Sequence, residues 1–349
     1  MSLEPVSALP TMEDVARRAG VSTATVSRVL NQPEVVRAPL RERVQRAVSS
    51  LGYLPHAGAR NLKTRRTGTV GVVVPTIDNA IFAAGLQAFQ RRMTEAGVVA
   101  LLAVSDYDPQ QEENQVQSLL ARGVDALALT GASQTQSLLK RLAQRQLPWV
   151  HTGSFPGPAG AACVGLRNRE AMVRAVRYLL DLGHRRMAMI AGVTHHNDRA
   201  AERVDGVREA LADAGLELPP SRLIETPYTP AAARQAMARL LETARPPSAV
   251  LCGNDVLAFG AMLECSARGI GVPQQVSVVG FDDLELARHW SPALTTVRVP
   301  AERMWTLAAE DLLAQLDGRS GTGQQQEIDV ELVVRGSAGP APRRTARPA

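Results

Sequence analysis

Apolar positions near the start of the chain recur at helical spacing. Met12, Val15, Ala16 and Ala19 share one face, and a second stripe runs through Ala24 or Thr25, Val26, Val29 and Leu30. Between them Gly20 stands where a helix end wants a positive φ, with Val21 following as an apolar plug. Thr11 with Asp14 three places on reads as a capping box, and Ser22 as the cap of a second helix over Thr23–Leu30. The outer face of that helix carries Thr23, Ser27 and Arg28. Helix, glycine turn and helix predict a helix-turn-helix, though small helical domains with no nucleic-acid role share the pattern. A third helix is expected at about 39–51, with Val44, Ala47, Val48 and Leu51 inward and Arg41, Arg43 and Arg46 outward.

Beyond Thr69 the texture changes. Short apolar runs such as Val70–Val74, Ala126–Leu129, Met187–Ala191, Ala249–Cys252 and Val276–Phe281 read as buried parallel strands. Amphipathic helices alternate with them, among them Ile81–Ala96, Arg169–Leu182, Arg203–Ala214 and Ala301–Leu316. The alternation runs through once to about residue 155 and then begins again, which predicts two lobes, each a doubly wound sheet. The chain is expected to cross back near Leu294–Pro300, with a last strand pair over Ile328–Val334 and a disordered tail after it. The expected domains are 1–54 for the helical unit and 55–67 for a hinge helix and linker. One lobe is expected from 68–167 plus about 300–327, the other from 168–297 plus about 328–336, and the tail at 337–349.

Charge distinguishes the first unit from a plain structural one. Residues 1–66 hold 11 Lys and Arg against 5 Asp and Glu, while the remaining 283 hold 28 against 29, so the net +5 is concentrated in the first fifth. A phosphate-binding module requires that asymmetry. No long apolar face accompanies the basic surface, which argues against a membrane role, and no run approaches a spanning length. At 45% hydrophobic and 21% charged, the composition is that of a globular protein, with an aliphatic core since aromatics are only 3%. Cys163, Cys252 and Cys265 lack metal-type spacing and leave one unpaired, so a reducing cytoplasm is the simplest context. The first ten residues show neither a cationic nor an apolar signal region, and no secretory signal is expected.

Doubly wound sheets bind ligands beyond the carboxyl ends of their strands. The loops predicted there run from Pro75 to Phe82, from His151 to Phe155 and from His195 to Arg199, followed by Arg203, Tyr228, Asn254-Asp255 and Asp282-Asp283. They suit a small polyhydroxylated or anionic ligand. Asn254 and Asp255 also read as a helix cap, and Arg203 as a solvated residue at a helix start. No nucleophile elbow, phosphate loop or dinucleotide fingerprint is present. His195-His196 lacks a third ligand at helical spacing, and neither a metal nor a cofactor is expected.

The motifs DVARRAGVSTATVSRVLN, LGYLPHAGARNL, VGVVVPTIDNAIFA, RGVDALAL, LGHRRMAMIAG, CGNDVLAFGAM, VPQQVSVVGFDD and PALTTVRVP run in this order from residue 14 to residue 300. Together they resemble the lactose-repressor (LacI/GalR-type) bacterial transcription factors over nearly residues 11–335. PEVV, CVGLRN, NDRA and VPAERM lean toward the gluconate-type regulators. The resemblance implies an α/β chain: an all-α helix-turn-helix domain plus a two-lobed, periplasmic-binding-protein-like core of two doubly wound parallel sheets. It implies a cytoplasmic homodimer, nucleoid-associated when bound, that represses at a palindromic double-stranded operator under a small effector such as a sugar or sugar acid.

By position, the resemblance places Thr23, Ala24 and Arg28 at base edges and Thr11, Ser22, Ser27 and Asn31 near the DNA backbone. Ala59 and Leu62 belong to the hinge, Leu62 as an apolar wedge in the minor groove. His56 and Gly58 depart from the family's usual Asn and Ala or Val. Ile77, Phe82, Asn197, Arg199, Arg203, Tyr228, Asn254 and Asp282 fall at effector positions, and the cations at Arg199 and Arg203 fit a sugar acid. The competing readings are a free sugar-binding protein with a basic arm, which would bind no operator, and an enzyme on this fold, which would turn over its sugar. The hinge reading has its own test. Leu62→Ala is expected to weaken operator binding strongly in fluorescence anisotropy while leaving effector binding intact, and unchanged operator affinity would refute it.

Overall fold

A computed structural model describes residues 9–54, 66–319 and 323–342. The expected hinge helix, with Ala59 and Leu62, lies outside the described residues. Two compact units divide the chain, Met1–Thr67 and Gly68–Ala349.

In the first unit, helix α1 spans Met12–Ala19, α2 Thr23–Asn31 and α3 Ala38–Leu51. Thr11 and Asp14 make the reciprocal capping box, and Ser22 caps α2 through the Thr25 amide at 3.2 Å. Gly20 takes φ +62, and Val21 then reaches back to the Ala16 carbonyl at 3.0 Å, which closes α1. Gly52 ends α3 in the same way, Tyr53 bonding the Val48 carbonyl. Val15, Ala19, Val26, Val29, Val44 and Ala47 form the core. Tyr53, just beyond α3, is buried against them and seals the bundle. Ala24, one of the two candidates for the inner face of α2, is exposed.

The second unit holds two six-stranded sheets of the same winding. The first is built from β1 (Thr69–Val74), β2 (Val99–Val104), β3 (Ala126–Thr130), β4 (Trp149–Thr152), β5 (Ala162–Gly165) and β11 (Gln325–Glu327), in spatial order 2-1-3-4-5-11. The second is built from β6 (Met187–Gly192), β7 (Leu223–Thr226), β8 (Ala249–Cys252), β9 (Ser277–Asp282), β10 (Thr295–Arg298) and β12 (Glu331–Val333), in order 7-6-8-9-10-12. All described pairings are parallel except β10 with β12. Parallel strands need covered faces, and β1 is accordingly apolar throughout its buried length, while β3 and β9 are apolar in their middles and carry polar residues only at buried ends, Thr130, Ser277 and Asp282.

The helices of this unit are α4 (Ala80–Glu95), α5 (Pro109–Ala121), α6 (Gln136–Arg145), α7 (Asn168–Asp181), α8 (Asp198–Asp213), α9 (Pro230–Leu241), α10 (Asp255–Ala267), the short α11 (Glu285–His289) and α12 (Ala301–Leu316). The chain passes between the lobes three times among the described residues, after β5, after β10 and after β11. The last strands are therefore not a pair. β11 joins the first sheet and β12 the second, because Ile328, buried, carries the chain across between them.

Residues 337–342, expected to belong to a disordered tail, are instead bonded to the second sheet. Ser337 is fully buried, its hydroxyl donating to the Val278 carbonyl at 2.6 Å and accepting from the Thr295 amide at 2.8 Å. The Gly339 carbonyl meets His184 Nε2 at 3.0 Å, and the Ala341 amide bonds the Leu182 carbonyl. Small residues let this segment approach polar groups that the second sheet would otherwise leave unpaired, a partner that low-complexity composition alone does not reveal. Residues 343–349 lie outside the described ones.

Helix α12 comes from the last sixth of the chain yet covers the first lobe. Trp305 meets Phe89 of α4 edge-on, with ring centroids 5.7 Å apart. Gly85 permits that approach, since a Cβ there would lie 2.0 Å from Trp305 Cδ1. Gly85→Ala is expected to cost about 1–3 kcal/mol through overpacking, read as a lower urea midpoint for the core transition. Unchanged stability would mean that Trp305 is not seated on Gly85.

Candidate DNA-reading face and interlobe ligand site

Helix α2 exposes Thr23, Ala24 and Arg28 and half-buries Ser27. Arg28 is its one charged side chain. Thr11 and Ser22, expected near the DNA backbone, spend their hydroxyls on capping: Thr11 Oγ1 donates to Asp14 Oδ2 at 2.7 Å, and Ser22 Oγ accepts from the Thr25 amide. Both residues remain exposed at helix starts, where free amides favour phosphate. Asn31 Nδ2 donates to Ser27 Oγ at 3.2 Å, so these two move as a pair. The bundle fixes three exposed groups of graded size on one helix: a hydroxyl, a methyl and a guanidinium.

In the core, the carboxyl ends of both sheets face one narrow cleft, whose enclosed volume is about 50 Å³. The second lobe contributes helix starts to it. Asn197 caps α8 through the Ala200 amide, and α8 begins at Asp198, five residues before the expected Arg203. Arg199 and Arg203 therefore lie one turn apart on the same face. Tyr228 follows β7 and lies over Gly192, where a Cβ would come 2.1 Å from the ring. Asn254 caps α10 through the Leu257 amide at 3.0 Å, and its Nδ2 is buried with no partner among the described residues. Asp282 ends β9 at φ +114, a conformation that costs a non-glycine residue energy and that the surrounding sheet must enforce.

Arg203 is the most constrained group in the cleft. Its Nε donates to Asn168 Oδ1 at 3.0 Å, Nη1 donates to the Gly253 carbonyl at 2.6 Å, and the guanidinium stacks 3.7 Å above the Phe281 ring. Burial pushes the Asp282 carboxyl up to about 7, against the pull of Arg203. No hydrogen bond from the described residues reaches that carboxyl group. Asp255 behind it, also pushed up by burial, to about 8, accepts from Thr296 Oγ1 at 2.6 Å and from the Leu284 amide. Asp255 is thus a structural partner of β10, while Asp282 faces the cavity. Arg199 pairs with Asp198 at 3.0 Å. Burial opposes the Arg199 charge, yet Asp198 and the neighbouring tyrosines hold its pKa above the ordinary value.

Seven of the eight residues expected at the effector line the cavity: Phe82, Asn197, Arg199, Arg203, Tyr228, Asn254 and Asp282. Ile77 does not. It is 54% exposed and absent from the cavity wall, because the loop after β1 turns Asn79 inward to cap α4 and sends Ile77 to solvent. Sequence reasoning also missed wall residues. Thr130, at the end of β3, bonds Thr152 of the expected His151–Phe155 loop at 3.1 Å, a position that strand prediction could have supplied. Tyr107 sits at φ +60 after β2, while Leu166, Val299, Met304 and Trp305 enter from the chain crossings and α12, with no local signal. Arg199 and Arg203 were expected as available cations. Neither is free: Arg199 pairs with Asp198, and Arg203 donates to Asn168 and the Gly253 carbonyl, because their helix begins early enough to bring them into the wall.

Comparison with known proteins agrees with both parts. Residues 11–56 match the family model described as bacterial regulatory proteins, lacI family, and residues 176–338 match a periplasmic binding protein-like domain. The chain is 32% identical over 327 residues to the HTH-type transcriptional repressor CytR of Escherichia coli (strain K12), covering 94% of this chain and 96% of that protein. Among solved structures, the transcriptional regulator CelR in complex with cellobiose superposes with a TM-score of 0.69 at 31% identity, over 94% of this chain and 100% of that one. The lac repressor dimer bound to operator and the anti-inducer ONPF gives 0.82 at 26% identity, over 95% and 99%.

A bidentate guanidinium contact to guanine is worth about 1–3 kcal/mol of discrimination. Arg28→Ala should therefore weaken specific operator binding by that amount and relax preference at one base position, as read by competition against single-base operator variants. Equal loss on all sequences would make Arg28 a phosphate contact instead.

Proposed function

This chain belongs to the lacI family of bacterial regulatory proteins and is a DNA-binding transcriptional repressor, and on that premise we propose that it acts as a homodimer on a roughly palindromic operator under a small effector held in the interlobe cleft. The proposed effector is a sugar or sugar acid, gluconate being the example the sequence suggests. Each reading helix would serve one half-site, so half-site spacing and the hinge supply specificity that the small side chains of α2 cannot. Val99 and Leu102, exposed on opposite faces of edge strand β2, leave apolar surface along that edge for the homodimer reading. The site of action is the cytoplasm, at the nucleoid when the operator is bound.

The observation that carries the effector reading is the pair of unmet groups in one cavity. The Asp282 carboxylate has no donor among the described residues, and Asn254 Nδ2 has no acceptor. Buried polar groups are normally satisfied, so a ligand offering both hydroxyl donors and an acceptor completes the wall. Phe82, Tyr228, Met304 and Trp305 supply apolar surface for the carbon skeleton. CelR, a solved relative, holds cellobiose, which supports a carbohydrate. With Arg199 paired to Asp198 and Arg203 held by Asn168 and the Gly253 carbonyl, the wall favours a neutral sugar over a sugar acid.

Thermal-shift screening against matched sugars and sugar acids tests this directly. A ligand at 100 times its Kd stabilises by about 2.7 kcal/mol. Asp282→Ala should abolish that shift and the effector response while sparing operator binding, whereas a retained response removes Asp282 from the site. The sign of the pH dependence follows from its raised pKa. Below about 7 the carboxyl is protonated and accepts hydroxyls poorly, so effector affinity should rise from pH 6 to pH 8.

A further inference from the structure

One dipeptide of the second lobe reaches into the first. Asp198 and Arg199, the first two residues of α8, reach across the cleft to the ends of β3 and β4. Gly131 follows β3 at φ +85, and a Cβ there would lie 2.0 Å from Arg199 Nη1 and 2.8 Å from Asp198 Oδ1. Gly153 follows β4 at φ +96, and its Cβ would lie 3.1 Å from Arg199 Cδ. Two glycines in the left-handed region thus open a notch that the guanidinium fills. Around the notch the lobes exchange hydrogen bonds. Ser154 Oγ donates to Asp198 Oδ2, and Ser133 Oγ donates to the His196 carbonyl at 3.1 Å. The notch is braced from behind: Gln134 Nε2 holds both the Gly131 carbonyl, at 2.7 Å, and the Glu112 carboxylate, at 3.0 Å.

We propose that the Asp198–Arg199 pair seated in the Gly131/Gly153 notch is an interlobe clasp that fixes the closed arrangement, with Asp198 positioning Arg199 rather than touching the effector. This rests on the effector reading of the cleft and adds to it the element that couples occupancy to lobe geometry. Arg199 lines the effector cavity on one side and a smaller polar chamber with Glu112 and Ser133 on the other. A ligand entering the cavity meets the clasp from the inside. The guanidinium leaves the notch only if Asp198 leaves Ser154, because the two carboxylate oxygens of Asp198 are shared between Arg199 and Ser154. Across the lobes the clasp consists of the two serine bonds and the guanidinium seated in the notch, and the Asp198–Arg199 pair inside the second lobe holds that guanidinium in place.

The test needs no ligand. Cys163, Cys252 and Cys265 are buried, so spin labels can be placed at Lys140→Cys on α6 and Arg239→Cys on α9, both exposed positions on opposite lobes. Electron–electron distance measurements on the full chain should give a narrow distribution for the otherwise unaltered protein. Asp198→Ala should shift it to longer distances, Ser154→Ala should shift it in the same direction, and the double variant should shift no further than Asp198→Ala alone. Should Asp198→Ala fail to fold, Ser154→Ala with Ser133→Ala carries the same expectation. An unchanged distribution in the folded variants overturns the clasp. Additive shifts overturn the shared carboxylate. A failed sugar screen would count against the effector reading and leave these distances as they are.

Discussion

One buried guanidinium holds the effector core in register. Arg203 joins three places that are distant in sequence: Asn168 at the first chain crossing, the Gly253 carbonyl at the end of β8 and the Phe281 ring of β9, next to which lies the Asp282 carboxylate. Burying a charge is costly unless it is paired and hydrogen-bonded, and removing one member of such a set typically costs about 3–5 kcal/mol. The strand ends of the second lobe and the crossing that links it to the first are thus tied to one side chain. Asp282 is the open end of that set, since the protein completes every partner of Arg203 but leaves the Asp282 carboxylate for something else.

The duplicated winding explains why the cleft exists at all. Both sheets run 2-1-3-4-5 before their last strand, so both present their carboxyl ends, their helix starts and their small loops to the same side. Three chain crossings join the lobes, which limits relative motion to modes that those crossings allow. The helical unit needs no such duplication. Its two glycine-closed helices and Tyr53 make a self-contained core that holds α2 outward. Effector chemistry and DNA chemistry therefore sit on separately folded units.

How much of this was legible in the sequence follows from range. Local signals read well: the Thr11–Asp14 box, the Gly20 turn, the apolar runs of β1, β3, β6, β8 and β9 and the strand-end loops all rest on interactions within a few residues, whereas β5 and β10 went unread. The start of α8 was placed late because Asn197 caps it from within a loop rich in other polar groups. Ile77 was misread for the opposite reason, since the apolar residue of its loop faces solvent while the polar Asn79 turns in. Trp305 and Met304 gave no signal, because only the third dimension brings α12 across to the cavity wall. Residues 337–342 looked like low-complexity tail, yet their order comes from His184, Ser277 and Thr295, far upstream.

The central claim is that the cleft and the reading helix share one free-energy cycle. Equilibrium linkage makes that claim reciprocal: if effector changes operator affinity by some factor, operator must change effector affinity by the same factor. Effector Kd, measured by calorimetry with and without saturating operator DNA, tests it most directly. The account predicts two different values whose ratio equals the ratio of operator affinities with and without effector. Identical effector affinities on and off DNA would contradict it.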